Sequence, residues 1–136
     1  MEMSFGMIFT IILVIVFIVF AFYAIKGFLN LQKKIQAEQF FENFQKETDK
    51  MYQSTYGSKN VSFNFPSNVE KVCFQNTQED NVFLDLNKGY EQKTINHLNN
   101  DKILNGKNES CATVTKNKVE FIFSKEYGED LVTIKF

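Results

Sequence analysis

The N-terminal stretch of residues 5–25 consists almost entirely of apolar and aromatic side chains and carries no charge; Gly6 and Thr10 are its two exceptions. An α-helix rises about 1.5 Å per residue, so a helix of this length spans the roughly 30 Å hydrocarbon core of a bilayer. Glu2 is the one side-chain charge before this stretch, whereas a cleaved secretory signal begins with basic residues. The pattern therefore predicts a single transmembrane helix within residues 1–26.

Beyond Lys26 the pattern becomes amphipathic, because apolar residues recur at steps of three and four or at sums of these steps. The residues concerned are Phe28, Leu31, Ile35, Phe41, Phe44 and Met51. Gly27 costs a helix only about 1 kcal/mol relative to alanine, so it does not end the helix. We therefore predict that the same helix continues as a spine over residues 27–56, ending near Tyr52 with Gly57 as its left-handed cap.

After Gly57 apolar residues alternate with polar ones, a period of two that indicates half-buried β-strands. Val61, Phe63 and Phe65 form the first run, and Pro66 closes it. Further strands are predicted at residues 69–75, 81–87, 111–116, 119–124 and 131–136.

Short polar breaks separate the last three predicted strands, so we expect them to form an antiparallel meander. Residues 89–108 are polar and weakly patterned. A short helix and a loop are both compatible with this segment, and Asn105-Gly106 predicts a turn within it.

A sheet with one apolar face needs a cover, and an amphipathic helix needs a partner. The predicted fold class is therefore α+β, with a long N-terminal helix packed on a small antiparallel β-sheet. Its parts are a transmembrane segment at residues 1–26, an amphipathic spine at 27–56 and a β domain at 57–136. In the predicted core Phe41, Phe44 and Met51 pack on five phenylalanines of the strands, namely Phe63, Phe65, Phe74, Phe121 and Phe123.

The sequence offers little for catalysis, cofactor binding or metal binding. His97 is the single histidine, so a histidine-rich zinc site is excluded, and we expect His97 to be an ordinary surface residue. The chain has no glycine-rich phosphate loop, dinucleotide fingerprint or nucleophile elbow. All 15 basic residues are lysines, so the arginine fork that binds phosphates and guanine edges is absent. We predict a protein that is not an enzyme, without catalytic, cofactor-binding or metal-binding residues, and with neither nucleic acid nor a small-molecule substrate as partner.

Cys73 and Cys111 both fall in predicted strands. In an oxidising compartment they could form a disulfide worth about 4 kcal/mol by the chain-entropy model. The alternative is a pair of buried free thiols. We predict the disulfide.

The sequence gives conflicting indications of the side of the membrane on which the β domain lies. Lys26, Lys33 and Lys34 follow the span and favour a cytoplasmic domain by the positive-inside tendency. The sequons at Asn60 and Asn108 are candidate glycosylation sites and point outward, but a chain with 14 asparagines carries about one or two sequons by chance, so they decide almost nothing. The cysteines favour an outside location.

The layout of an apolar helix that continues as an amphipathic spine against an antiparallel sheet resembles the type IV pilin and pseudopilin superfamily. The stretches "MSFGMIFTIILVIVFIVFAFYAI" and "GSKNVSFNFPSNVEKVCF" are also similar to single-pass membrane proteins of archaea. The resemblance implies a helix that rests in the membrane and then assembles in a filament, with the globular domain outside the cell. The chain departs from the family at Phe5, which precedes Gly6 in place of a basic residue, and at Ile11, where the family has glutamate.

Two functions from different classes follow. The first is a cell-surface structural subunit, pilin-like, whose partners are the lipid bilayer and copies of itself or related subunits. Its predicted assembly residues are Phe5, Ile8, Ile11, Ile12, Ile15, Phe17, Ile18 and Phe22. The second is a stand-alone, single-pass anchored binding module within a membrane or cell-surface complex.

Overall fold

The structure is a computed structural model that describes residues 4–77 and 79–136. The first three residues of the predicted transmembrane segment therefore lie outside the described part. The chain divides into a first unit that ends at Ile35 and a second unit from Gln36 to Phe136. The elements in chain order are α1 Phe5–Gln53, β1 Gly57–Asn64, β2 Val69–Gln75, β3 Val82–Leu86, β4 Tyr90–Lys93, α2 Asn100–Leu104, β5 Glu109–Thr113, β6 Lys118–Lys125 and β7 Thr133–Lys135.

The long helix is confirmed, and α1 ends within one residue of the predicted position. Its end is not formed by Gly57, which is the first residue of β1, so that prediction was wrong. The backbone N–H and the hydroxyl of Ser54 instead donate to the carbonyl of Met51 at 3.1 and 2.6 Å. The ammonium of Lys125 donates to the carbonyls of Tyr52 and Ser54 at 2.7 and 2.9 Å. These donors satisfy carbonyls at the helix end, so no left-handed glycine is required there.

The predicted combination of a long helix with antiparallel β structure is confirmed, but the strands form two sheets instead of one. The first sheet has the order β1-β6-β7, and the second has the order β4-β3-β2-β5. Every pairing within the two sheets is antiparallel.

The predicted meander of the last three strands is wrong in its first half. β6 pairs with β7 as expected, but β5 pairs with β2 in the other sheet. The predicted strand at residues 111–116 ends at Thr113, and a turn through Lys116 and Asn117, both with positive φ, leads into β6. An isolated bridge within this turn pairs Thr115, which follows β5, with Lys118 at the start of β6. The chain therefore changes sheets at this turn.

The core of the second unit is built from phenylalanines. Phe44 of α1 is fully buried, and its ring lies 5.1–6.0 Å from the rings of four predicted partners, Phe63, Phe74, Phe121 and Phe123. Three of these partners lie in the first sheet and Phe74 lies in the second, so one helix residue contacts the aromatic core of both sheets. The predicted packing of Phe44 is thereby confirmed.

The predicted apolar stripe on the helix is wrong in its first half. Phe28, Leu31 and Ile35 are 65%, 55% and 44% exposed. Six residues turn an α-helix by about 600°, so Phe41 cannot share a face with Ile35 in a regular helix. The buried helix residues are Ala37, Phe40, Phe41, Phe44, Thr48 and Met51, and Phe40 makes the ring contact with Phe65, at 4.7 Å. The sequence therefore carries two apolar stripes where one was predicted.

The weakly patterned segment contains a short helix, which is one of the two expected alternatives, and a strand that was not predicted. β4 is an exposed edge strand on β3, and α2 is a five-residue helix. The side chain of Asn99 accepts a hydrogen bond from the backbone of Lys102 and caps α2, while Asn105 takes the left-handed conformation at its end. The predicted Asn105-Gly106 turn is confirmed.

Candidate functional site

The first half of α1 presents a continuous apolar surface. Every large apolar side chain from Phe5 to Ile25 is exposed, and the eight predicted assembly residues are between 44% and 87% exposed. The set is Phe5, Ile8, Ile11, Ile12, Ile15, Phe17, Ile18 and Phe22. By length and composition the helix can cross a membrane. No residue in its most apolar stretch is buried against the rest of the described chain.

The one hydroxyl-bearing aliphatic side chain in this surface is satisfied inside the helix. The Thr10 hydroxyl donates to the carbonyl of Gly6 at 2.8 Å. A polar group in hydrocarbon is costly unless it is hydrogen-bonded. Thr10 therefore places no demand for a polar partner on whatever surrounds the helix.

Cys73 and Cys111 are joined in a disulfide that links β2 to β5. The two residues are direct partners in the antiparallel register, with their Cα atoms 4.0 Å apart and a sequence separation of 38. Cys73 is 1% exposed, while Cys111 is exposed. The bond closes a loop that contains β3, β4 and α2. It therefore covalently joins β2 and β5, the strands that precede and follow this segment.

One carboxylate lies beside the disulfide. Glu109 Oε1 is 3.1 Å from the sulfur of Cys111, and potential ligand atoms of Cys73, Glu109 and Cys111 lie within 4.8 Å of one another. Metal ligation by cysteine requires a thiolate. Because the two sulfurs are bonded to each other, the group offers no thiolate as it stands.

Both candidate glycosylation sites are sterically open. Asn60 is an exposed residue of β1, and Asn108 is an exposed residue just before β5. Asn60 belongs to the first sheet, whereas Asn108 immediately precedes a strand of the second. A glycan at either position would extend from the surface of the second unit, since neither side chain is buried.

His97 is a surface residue, as expected, but it has a structural role that the sequence did not predict. Its ring stacks on Tyr52 with centroids 3.8 Å apart, and its Nδ1 lies 3.2 Å from Asp49 Oδ1. The neighbouring Gln45 side chain accepts a hydrogen bond from the backbone N–H of Asn96 at 2.9 Å. These contacts fasten the turn between β4 and α2 to the end of α1. Among the hydrogen bonds of the described residues, His97 has no hydroxyl or thiol partner.

A groove of about 620 Å³ runs between α1 and β1, and no strand within residues 4–77 and 79–136 pairs with the outer edge of β1. The lining is mostly amide and charged side chains from the helix, together with residues 61–65 of β1. The helix residues are Gln36, Gln39, Phe40, Asn43, Lys46, Glu47 and Lys50. The groove was not predicted from the sequence, because its two walls are distant in sequence: the end of α1 and the turn into β1 lie between them.

An ion pair holds the groove at one end. Lys59 Nζ lies 2.9 Å from Glu47 Oε2, and Lys50 Nζ lies 3.5 Å from Glu47 Oε1. The hydrogen bond from Lys59 lowers the pKa of Glu47 below its ordinary value, against the opposing effect of partial burial. Glu47 is therefore charged at neutral pH and fixes β1 against the helix.

Comparison of the chain with protein-family models, with curated proteins and with solved structures finds no match in any of the three. The class of protein is thus defined by the fold itself, an α+β chain with a long apolar N-terminal helix, two antiparallel sheets and one disulfide.

Proposed function

We propose that the protein is a non-enzymatic structural subunit of the cell surface, anchored in the membrane by α1. On this proposal the apolar half of the helix assembles with copies of itself or with related pilin-like subunits. The observation that carries the proposal is the unbroken exposure of the apolar side chains from Phe5 to Ile25. An apolar surface of this extent is not left in water by a soluble protein, so lipid or other helices must cover it.

The outside location of the globular domain is supported by the disulfide. Structural disulfides persist in oxidising compartments and are rare in the reducing cytosol. Cys73 and Cys111 are bonded, and Asn60 and Asn108 are accessible. These features favour an extracytoplasmic domain over the cytoplasmic orientation that the lysines after the span suggest.

The location is tested by protease treatment of intact, wall-stripped cells. We expect digestion of the domain with retention of a membrane-embedded fragment that contains residues 5–25. Digestion that occurs only after lysis would place the domain in the cytoplasm and contradict this part of the proposal.

Assembly is tested by replacing residues 11–24 with a leucine-alanine run of equal hydrophobicity. Membrane insertion depends mainly on summed hydrophobicity, so the native protein and the variant with the replaced helix should both stay in the membrane. If the helix packs against other helices, electron microscopy should show filaments or oligomers in the native preparation and none with the replaced helix. If filaments persist unchanged in the variant, the helix serves only as a membrane anchor.

The alternative function, a stand-alone anchored binding module, is favoured by one observation, the groove between α1 and β1. An edge strand beside a groove can accept an extended peptide through its free backbone groups. The discriminating change is Ser62→Pro in β1, because proline disrupts strand pairing at that edge. Loss of co-purifying partners with this variant, and not with the replaced helix, would favour the module.

A further inference from the structure

Apolar residues continue at regular spacing beyond the charge-free part of α1. Between Lys26 and Gln36 the chain has four such residues, and three of them, Phe28, Leu31 and Ile35, follow one another at steps of three and four. All three are exposed, at 65%, 55% and 44%. The described chain therefore leaves this stripe uncovered.

The same alternation of steps extends back into the apolar half of the helix. Alternating steps of three and four give the seven-residue repeat of a coiled coil, in which positions a and d face a partner helix. We call this set of positions the seam, and its members are Phe17, Ala21, Ala24, Phe28, Leu31 and Ile35. The next position in the series is Glu38, so the apolar repeat ends there.

The charged residues around the seam occupy positions that tolerate a partner. Lys26 and Lys33 both fall at position f, which points directly away from the partner in a two-stranded coil. Lys34 falls at position g, and the residue it would meet on a parallel neighbour is Gln39 at position e. Between Phe17 and Ile35, pairing two copies in register therefore brings no like charges together. The next position would set Glu38 opposite the same residue of the other copy, so the coiled coil ends at Ile35.

Lipid does not account for the outer part of the seam. About 20 residues of helix cross the hydrocarbon core, and residues 5–25 already supply that length. Phe28, Leu31 and Ile35 would then lie in the headgroup region and beyond it, where acyl chains do not cover them. Another protein surface is needed to remove them from water.

We propose that this surface is the same seam of a second copy, so that two helices form a short parallel coiled coil from Phe28 to Ile35 that continues the contact made within the membrane. The inference rests on the proposed membrane anchoring and assembly, and it adds the register and the site outside the bilayer. Insertion in one membrane holds both copies in the same direction, which makes the pairing parallel. Ala21 and Ala24 are small and allow the two backbones to approach within the lipid.

The competing occupant is an anionic lipid surface. Lys26, Lys33 and Lys34 could contact headgroup phosphates, and no acidic residue lies between Glu2 and Glu38. A lipid surface would contact a broad arc of the helix that includes Leu29, whereas a partner helix contacts only positions a and d. A lipid surface and a partner helix therefore predict different spacings of the covered residues along the helix.

Single cysteines introduced into the full-length protein in native membranes separate these cases. The native cysteines are bonded to each other, so each variant carries one free thiol among the described residues. A disulfide needs Cβ atoms roughly 3.5–4.5 Å apart, so with copper-phenanthroline we expect Phe28→Cys, Leu31→Cys and Ile35→Cys to cross-link about tenfold faster than controls. The matched controls are Asn30→Cys at position c and Lys33→Cys at position f.

A second pair of variants tests the energetics without oxidation. Leu31→Glu places a charge in the seam, and Lys33→Glu places the same charge on the outer face. Energy transfer between labelled copies in native vesicles should fall about tenfold for Leu31→Glu, because a charge would be buried at the contact, and should be unchanged for Lys33→Glu.

The outcomes distinguish this inference from the proposed function. Cross-linking of Phe17→Cys and Ala24→Cys, without cross-linking of residues 28–35, would keep assembly through the span and overturn the coiled coil. No cross-linking at any seam position would overturn both. If brominated lipid quenches labels at Phe28, Leu29 and Leu31 to the same extent, the surface is covered by lipid, and this result would also overturn the coiled coil.

Discussion

Removing the Phe44 ring should unfold the second unit at a much lower temperature. Phe44 is fully buried, and its ring contacts Phe63, Phe121 and Phe123 in the first sheet and Phe74 in the second. Phenylalanine-to-alanine changes in cores cost about 3–5 kcal/mol. Because Phe44 also loses at least four aromatic contacts, we expect Phe44→Ala to lie near the upper end of that range.

The assay is thermal unfolding of full-length, detergent-solubilised protein without reductant, followed by circular dichroism of the β structure. One kcal/mol shifts the midpoint by about 4–8 °C for a domain of this size, so Phe44→Ala should lower it by at least about 12 °C. Phe28→Ala is the matched control, since Phe28 lies on the same helix but is 65% exposed. Equal effects of the two changes would refute the division of α1 into a buried and an exposed stripe.

Three further predictions follow from polar and covalent contacts. Alkylation without reductant should label neither Cys73 nor Cys111, and reduction should cost the domain about 4 kcal/mol by loop entropy; two labelled thiols in the native protein would contradict the disulfide. Lys59 lowers the pKa of Glu47, so the pair's contribution is present above about pH 4.5, the unfolded value, and is lost as pH falls through the lower folded pKa. Glu47→Gln should remove that acid-dependent loss, with an effect below about 1 kcal/mol because the pair is near the surface, and an unchanged pH dependence of unfolding would refute the assignment. Lys125→Met should cost about 1–2 kcal/mol in the same unfolding assay, since the ammonium donates to two carbonyls at the end of α1, and no change would show that these carbonyls are satisfied by water.

The parts of the fold that the sequence predicted are those recorded in local periodicity. β2 occupies the predicted residues 69–75, although its burial does not alternate, because residues 72–74 are all buried. In β6 the buried Val119, Phe121 and Phe123 alternate with the exposed Glu120. The alternating pattern of β6 arises because that strand buries one face against the core. The end of α1 was equally predictable, since its residues remain helical in composition until Gln53.

The parts that failed depend on partners distant in sequence. β4 has exposed or half-buried residues at all four positions, so it has no alternation, and its pairing with β3 is made by backbone groups. The sheet that β5 joins is set by its opposite neighbours in β2, where Cys111 meets Cys73 and Ala112 meets Val72. Nothing within β5 itself distinguishes that pairing from one with β6.

The single-stripe error has a geometric cause. Steps of three and four keep residues on one face only when they alternate, because each step of three falls short of a full turn by about 60° and each step of four exceeds it by about 40°. The interval from Ile35 to Phe41 contains two steps of three in succession. The stripe therefore leaves one face and a second begins, which is why Ile35 is exposed and Phe41 is buried.

This division of α1 also determines where the energy of the proposed assembly would come from. Within the hydrocarbon, lipid tails are as apolar as isoleucine or leucine, so pairing of residues 5–25 gains packing contacts but little hydrophobic free energy. Outside it, burial of one large apolar side chain removes it from water and contributes about 1.5–3 kcal/mol. Phe28, Leu31 and Ile35 would thus supply most of the driving force, and the span would supply shape. On that account Leu31→Ala should weaken association more than Ile15→Ala does, although Ile15 lies in the more apolar segment.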